Sequence, residues 1–303
     1  MQQDEQDSIL AQFKEQFTSE HKLTNSYWQS ALKWFKPLAD DIISHHKKAK
    51  RPLFVGVNGA QGSGKSTLTD FLVGYFNQVQ KVSSVGFSID DFYFSKEIRA
   101  ALSEQVHPLL HTRGVPGTHN AVMLNKVLNK LALGQSCIIP KFDKANDDLY
   151  PEEDWTPIEE PKDIIVFEGW CVGSKSAEND TLSVAVNPLE TEHDPDGSWR
   201  GYVNQQLLQK YEPIFARLDL LVMLKAPSFN TVYSWRLEQE HKLKQKLAAS
   251  GITGNIGMTD EEIKTFIQYY QRITEHNLHY LPADCDYVFS LDEKRSITQC
   301  IKK

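Results

Sequence analysis

The stretch GAQGSGKS at residues 59–66 constrains the fold of this chain most strongly, because it fits the pattern G-x-x-x-x-G-K-[S/T]. The apolar run PLFVGV at 52–57 precedes it, and this run is short and followed by glycines, so it predicts a buried strand. The sequence STLTDFLVGYFNQV, which follows, predicts a helix. A glycine-rich turn between a strand and a helix directs backbone N–H groups at an anion. The stretch therefore predicts a phosphate-binding loop.

The residue types in this loop suit a nucleotide and its metal ion. Gly59, Gly62 and Gly64 let the backbone turn so that its amides face phosphate oxygens. Lys65 would reach the β- and γ-phosphates, and Ser66 would bind Mg²⁺. The predicted cofactors are ATP and Mg²⁺, and the predicted nucleotide-binding residues are Gly59, Ala60, Gln61, Gly62, Ser63, Gly64, Lys65, Ser66 and Thr67. A glycine-rich turn without a ligand is the alternative, which the flanking strand and helix disfavour.

Strands alternate with helices along the rest of the chain. Further buried strands are predicted at 81–89, 163–169, 218–224 and 286–292, with a helix at 119–134. This alternation predicts an α/β fold with three layers, in which helices cover both faces of a mostly parallel sheet, as in P-loop NTPases. Residues 171–198 are rich in Ser, Asn, Asp, Pro and Gly, which predicts a surface loop.

The chain is predicted to form one domain with an extension. Residues 1–49 are expected to form a helical N-terminal extension packed on the core, with a kink or break at Pro37. Residues 50–303 are expected to form the P-loop domain itself. The charged helix at 235–246 predicts a helical lid over about 230–258.

Composition narrows the class of partner. The net charge of −7 argues against nucleic acid or an anionic membrane as the main partner. No apolar run approaches the roughly 18–20 residues that a membrane-spanning helix needs. The acidic first residues lack the basic start of a signal peptide, so a cytoplasmic location is expected, with the four scattered cysteines reduced. Monomer and homodimer both remain open.

The second predicted strand runs into SIDDFY, which places Asp90 and Asp91 side by side. Ligands bind beyond the carboxyl ends of the strands in such a sheet, so these carboxylates are expected near the γ-phosphate. Alternation along a strand would let only one of them face the nucleotide. That carboxylate, Asp90 or Asp91, could accept the proton of an attacking hydroxyl and lie near Mg²⁺. An Asp–Asp turn or a helix cap is the alternative, more so for Asp91.

The third strand ends in VFEGW at 166–170. A carboxylate that follows an apolar strand in a protein with a phosphate loop suits Mg²⁺ binding. Glu168 is therefore predicted to hold Mg²⁺ through water or to orient Lys65. Because an acid after an apolar run is common, a purely structural role is the alternative.

Cations for an acid substrate are predicted in two loops and on the lid. HTRGVPGTHN at 111–120 has no periodicity, and its Arg113 offers the bidentate fork that carboxylates favour. In the same loop His119 could contact the acceptor, cap a helix or pack. In KFDK, Lys141 and Lys144 could meet anions or be solvated. Arg236 on the lid could stabilise charge on the transferred phosphoryl group, or lie on a solvated helix face.

Seven stretches in the same order resemble the D-glycerate 3-kinases, which are P-loop kinases related to uridine kinase, phosphoribulokinase and pantothenate kinase. The stretches, within about residues 50–292, are GAQGSGKSTL, SIDDFY, RGVPGTH, KFDK, FEGW, YEPIFARLD and WRLEQEH. The resemblance implies transfer of phosphate from MgATP to the 3-hydroxyl of D-glycerate. It implies that Asp90 rather than Asp91 is the base, that the loop from Arg113 to His119 holds the acceptor, and that Trp235 and Arg236 belong to the lid. We predict Asp90, Lys65 and Arg236 as the catalytic residues, and Ser66, Asp90 and Glu168 as the ligands of Mg²⁺. The predicted acceptor-binding residues are Asp91, Tyr93, Arg113, His119 and Lys141.

Two alternatives keep the phosphate loop. The acceptor could instead be a nucleoside, pantothenate or another sugar acid. The protein could also be a nucleotide-dependent switch or ATPase that transfers phosphate only to water. The single Glu168 followed by Gly–Trp, together with the Asp pair on the second strand, fits phosphorylation of an acceptor better.

Overall fold

The computed structural model describes residues 2–249 and 257–303 and is built on a six-stranded sheet. In spatial order the strands are β10 (Ile297–Lys302), β9 (Tyr287–Leu291), β8 (Leu220–Lys225), β1 (Leu53–Gly59), β7 (Ile164–Gly169) and β2 (Ser84–Ser88). All neighbours pair in parallel except β10, which runs antiparallel to β9. The central strands β1 and β7 are buried along their whole length. The predicted three-layer α/β/α fold with a mostly parallel sheet is confirmed.

The helices follow the predicted alternation, with additions between the strands. In the described ranges they are α1 (Gln2–Glu20), α2 (Asn25–Ala49), α3 (Lys65–Gly74), α4 (Lys96–Gln105), α5 (Ala121–Ala132), α6 (Pro188–His193), α7 (Ser198–Gln206), α8 (Glu212–Phe215), α9 (Phe229–Ala249) and α10 (Asp260–Tyr280). Two antiparallel pairs lie outside the main sheet: β3 (Cys137–Ile139) with β6 (Thr156–Ile158), and β4 (Phe142–Asp143) with β5 (Asp148–Leu149). Among the helices described, none has the length and apolarity that crossing a bilayer requires.

The two N-terminal helices pack on the core through aromatic rings. The ring centroids of Phe13 and Phe17 on α1 each lie 5.5 Å from that of Phe71 on α3, and Phe35 on α2 approaches it to 5.6 Å. Of the kink or break expected at Pro37, the break is wrong, because α2 continues through this residue. Proline inside a helix costs about 3 kcal/mol, whereas the buried apolar residues on both sides of it each contribute about 1.5–3 kcal/mol.

The interpretation of residues 171–198 as a surface loop is wrong in part. Helix α6 lies within this range and buries Leu189 and Glu190. Its first turn is capped by Asn187, whose side chain accepts the Glu190 N–H, and the Glu190 carboxylate pairs with Arg272 on α10. Contacts between distant segments of this kind cannot be predicted from the local composition. Of the predicted lid, α9 covers the first part, and residues 250–256 lie outside the described residues.

Candidate active site

The phosphate loop connects β1 to α3 and depends on glycine at two positions. Gly62 and Gly64 have φ values of +77° and +91°, in the left-handed region that glycine favours. At Gly64 a Cβ atom would meet nothing within 4 Å, so only the backbone conformation requires glycine. At Gly62 a Cβ atom would lie 2.8 Å from the Cβ atom of Trp235 on α9. The loop is therefore in close contact with the helix predicted as the lid.

Arg295 secures this contact from the turn between β9 and β10. Its Nε atom donates a 2.8 Å hydrogen bond to the carbonyl oxygen of Gly62. Its guanidinium lies 5.3 Å from the ring centroid of Trp235 and pairs with Glu238 on α9 at 2.7 Å. No motif indicates Arg295 as part of the site, and it lies 233 residues from Gly62 along the chain.

Glu168 at the end of β7 contacts two residues at the start of α3, Lys65 and Ser66. Its Oε1 atom accepts a 2.7 Å hydrogen bond from Ser66 Oγ, and its Oε2 atom lies 4.0 Å from Lys65 Nζ. Within the part of the chain that the structure describes, buried Oε2 has no hydrogen-bond partner. Burial raises the pKa of Glu168, against the opposing effects of Lys65 and Ser66. An unpartnered buried oxygen is costly, so this atom is suited to a further cation or donor.

Asp90 and Asp91 point to different partners. They lie in a 3₁₀ turn, Ile89–Phe92, rather than in the strand itself, and Asp91 caps this turn by accepting the Ser88 N–H at 3.1 Å. Asp90 accepts hydrogen bonds from the Tyr93 hydroxyl at 3.0 Å and from Lys144 Nζ at 2.6 Å. One carboxylate of the pair thus faces the site, but turn geometry rather than strand alternation separates the two.

The two aspartates also differ in acidity. Burial tends to raise the pKa of Asp90, but the ammonium groups of Lys144 and Lys65 outweigh it and hold this pKa well below its usual range. Burial raises the pKa of Asp91 to about 6, with the Ser88 N–H acting in the opposite direction. Asp90 is therefore ionised throughout the physiological pH range.

A stack of aromatic rings connects Asp90 to the loop at 111–120. The His119 ring stacks on Tyr93 with centroids 4.3 Å apart, and its Nδ1 atom lies 2.8 Å from the Tyr211 hydroxyl. Burial lowers the pKa of His119 to about 4, so the ring is neutral. Among the described residues no group bonds to its buried Nε2 atom. Tyr211, which begins YEPIFARLD, was not predicted to act here.

Arg113 reaches the same group of aromatic rings through Phe142. Its guanidinium lies 5.4 Å from the ring centroid of Phe142 on β4, and Phe142 meets Tyr93 edge-on at 5.2 Å. The guanidinium is paired with Asp147, at the end of the turn between β4 and β5. The predicted carboxylate clamp thus lies within the site and already holds a carboxylate of this chain.

Two predicted cations are engaged elsewhere in this conformation. Lys141 is exposed and lies 5.0 Å from the ring centroid of Tyr150, so the lysine of KFDK that contacts Asp90 is Lys144. Arg236 pairs with Glu240 at 2.8 Å on its own helix and lies 5.8 Å from the ring centroid of Phe266.

Comparison with known proteins identifies the family. The model of the Phosphoribulokinase / Uridine kinase family matches residues 54–185. The uncharacterized kinase mug58 of Schizosaccharomyces pombe is 35% identical over 258 residues, which are 82% of this chain and 85% of the relative. The structure of D-glycerate 3-kinase from Cryptococcus neoformans var. grubii aligns with a TM-score of 0.72 and 26% identity, covering 89% of this chain and 99% of that chain. The chain belongs to the D-glycerate 3-kinase-like P-loop kinases.

A D-glycerate 3-kinase-like P-loop kinase is an ATP-dependent phosphotransferase that acts on a hydroxyl group of a small molecule. The chloroplastic D-glycerate 3-kinase of Arabidopsis thaliana is 30% identical over 246 residues. This match covers 76% of the present chain and 50% of the relative, so the chain spans half the length of that enzyme.

Proposed function

We propose that this kinase transfers the γ-phosphoryl group of MgATP to the 3-hydroxyl of D-glycerate, giving 3-phosphoglycerate and ADP. One observation carries the proposal: the ionised carboxylate of Asp90 lies between the phosphate loop, where Lys65 lowers its pKa, and the aromatic stack that leads to Arg113. Similarity to two proteins named as D-glycerate 3-kinases supports this choice of acceptor.

The residues at the loop fit Mg²⁺. Ser66 Oγ and the carboxylates of Glu168 and Asp90 would offer oxygen ligands, and Glu168 Oε2 is buried without a hydrogen-bond partner among the described residues. In those residues there is no group of three or more His, Cys, Asp or Glu side chains arranged for a metal ion. A site with few protein ligands suits Mg²⁺, which is usually bound by one or two carboxylates together with phosphate oxygens and water. When bound, the ion would neutralise charge on the phosphates.

The nucleotide would be bound by the backbone of 59–67 and by Lys65. Asp90 would accept the hydrogen bond of the attacking hydroxyl and receive its proton. Since the pKa of Asp90 is low, we assign it chiefly to orienting the hydroxyl, with proton transfer late in the reaction. The loose transition state of phosphoryl transfer demands little from a base beyond this. The hydroxyl of Tyr93 donates to the Oδ1 atom of Asp90 and so holds this carboxylate in place.

The acceptor would lie between Asp90 and Arg113. Arg113 would bind its carboxylate through the guanidinium fork, and the Nε2 atom of neutral His119 would contact one of its oxygens. Asp91 and Lys141 would also contribute to binding of the acceptor. As the lid closes, Arg236 would leave its ion pair with Glu240 and bind the transferred phosphoryl group. A cytoplasmic location and a monomeric or homodimeric state stay predictions.

Coupled ADP release with a panel of acceptors tests the proposal. The panel is D-glycerate, glycerol, uridine and pantothenate, with a reaction lacking acceptor as the control. We expect D-glycerate to be used with the highest kcat/KM and ³¹P NMR to show a phosphate ester at its third carbon. Turnover with another acceptor but not with D-glycerate would contradict the named substrate. ADP release that needs no acceptor would indicate a switch or ATPase.

A further inference from the structure

The hairpin formed by β4 and β5 carries two charges into the proposed acceptor site. Its turn is held by Asp143, whose carboxylate accepts the backbone N–H groups of Ala145 and Asn146. At one end of the turn Lys144 bonds to Asp90, and at the other Asp147 pairs with Arg113. A hairpin with strands of two residues is stabilised mainly by the contacts it makes. Its two ion pairs are therefore part of what holds it over the site.

Asp147 has a second cationic partner. Its Oδ2 atom lies 2.9 Å from a guanidinium nitrogen of Arg99, while its Oδ1 atom faces Arg113. Arg99 is 1% exposed and also donates to the backbone carbonyl oxygens of Phe94, His111 and Asp147. The side chain of Arg113 is 22% exposed and so remains reachable by a ligand.

This arrangement lowers the cost of exchanging Asp147 for another carboxylate at Arg113. An acid acceptor approaching Arg113 meets a guanidinium that already holds a carboxylate, and two anions on one guanidinium repel each other. If Asp147 releases Arg113, its carboxylate keeps Arg99 and no buried charge loses its last partner. The cost of leaving a buried charge unpaired is thereby avoided. A neutral acceptor brings no charge to replace Asp147.

We propose that Asp147 is a competing carboxylate, which occupies Arg113 in the free enzyme, is displaced by the carboxylate of an acid acceptor and thereby sets the affinity of the site for acids. This inference rests on the proposed function, because it takes Arg113 as the acceptor clamp. The exchange weakens the binding of acid acceptors, whereas a neutral alcohol, which does not displace Asp147, binds equally well with or without this carboxylate.

The substitution Asp147→Asn tests the competition. Asp147 has a φ value of +58°, a conformation that Asn tolerates. Buried Arg99 keeps its three backbone carbonyl acceptors, and the Asn side-chain oxygen can still accept from it, so the variant should fold. Removing the competing charge should lower the KM for D-glycerate about fivefold, in the range of a partly exposed ion pair, with little change in kcat or in the KM for ATP. The Ki of lactate, an acid without the 3-hydroxyl, should fall by the same factor, and the Ki of glycerol should not change.

Asp148→Asn is the matched control. It removes the same charge one residue further along, where the carboxylate accepts the Lys96 N–H and not a guanidinium. Asp147→Gly, also compatible with positive φ, serves as a second variant, and thermal unfolding checks the fold of each protein. An unchanged or raised KM for D-glycerate in both Asp147 variants would overturn the inference while leaving the proposed function intact. Absence of D-glycerate-dependent ADP release by the wild type would overturn both.

Discussion

Lys144 donates a 2.6 Å hydrogen bond to Asp90, although 54 residues separate them in the chain. The lysine lies on the β4–β5 hairpin, and the aspartate lies at the end of β2. Together with Lys65, Lys144 outweighs the effect of burial and keeps the pKa of Asp90 low. The charge state of the proposed base therefore depends on a hairpin outside the main sheet.

Replacing Lys144 with Met should raise the pKa of Asp90, because burial would then be opposed mainly by Lys65. We expect the acidic limb of the pH profile of kcat/KM to move to higher pH, while the wild type stays active further into the acid range. Lys126→Met is the control, since Lys126 is exposed on α5 and has no part in the proposed site. Profiles of the two variants that move together would contradict the role given to the contact with Asp90.

Replacing Glu168 with Gln should weaken Mg²⁺ binding with little loss of stability. The amide keeps the shape of the side chain and can still accept from Ser66, but it removes the charge that the ion would meet. We expect the half-saturating Mg²⁺ concentration to rise about tenfold or more, as for other metal-site substitutions. The measurement is a Mg²⁺ titration of ADP release at fixed ATP. A Mg²⁺ requirement equal to that of the wild type would show that Glu168 does not serve the ion.

Replacing Arg113 with Lys should impair binding of the acceptor and spare the nucleotide. Lysine keeps the charge but cannot offer two parallel N–H donors to a carboxylate. The KM for D-glycerate should rise about tenfold, the scale of one charge-assisted hydrogen bond, while the KM for ATP stays constant. Steady-state kinetics with each substrate varied in turn checks this. A parallel rise in both KM values would point to a structural role for Arg113.

His119 should make the stability of the protein depend on pH in a specific window. Burial lowers its pKa to about 4 in the folded state from an ordinary value of 6.5, so only the unfolded chain takes up a proton between these values. Protonation of the unfolded chain at His119 should therefore lower the free energy of unfolding by about 2 kcal/mol between pH 7.5 and pH 5. Denaturant unfolding of the wild type and His119→Gln at both pH values measures the effect. We expect the pH-dependent loss to be smaller in the variant by that amount, and equal losses would argue against a neutral buried ring.

The fold and the phosphate loop could be predicted because their signals are local. Buried parallel strands appear as short apolar runs, and the glycines of the loop reflect positive φ angles at Gly62 and Gly64. The position of Asp90 beyond a strand end follows from the same pattern. The geometry that separates it from Asp91 does not, because a 3₁₀ turn capped by Ser88 and Asp91 replaces the expected strand.

The remaining parts of the site depend on contacts between distant segments. The choice of Lys144 rather than Lys141 as the partner of Asp90 follows from where the hairpin turns, and that turn is set by Asp143 with the backbone beyond it. The pairing of Arg113 with Asp147 joins residues 34 apart, and the support of Gly62 by Arg295 joins residues 233 apart. No periodicity or spacing encodes such pairs, so they become visible only in the folded chain.

The central claim is that Asp90 receives the hydroxyl of the acceptor, and single-turnover kinetics of Asp90→Asn tests it most directly. Lys65→Ala is the comparison, since it should weaken ATP binding and slow the reaction together. For Asp90→Asn, calorimetry should show ATP affinity close to that of the wild type, while transfer to D-glycerate slows about 10²- to 10⁴-fold. Transfer by Asp90→Asn at the wild-type rate would contradict the account.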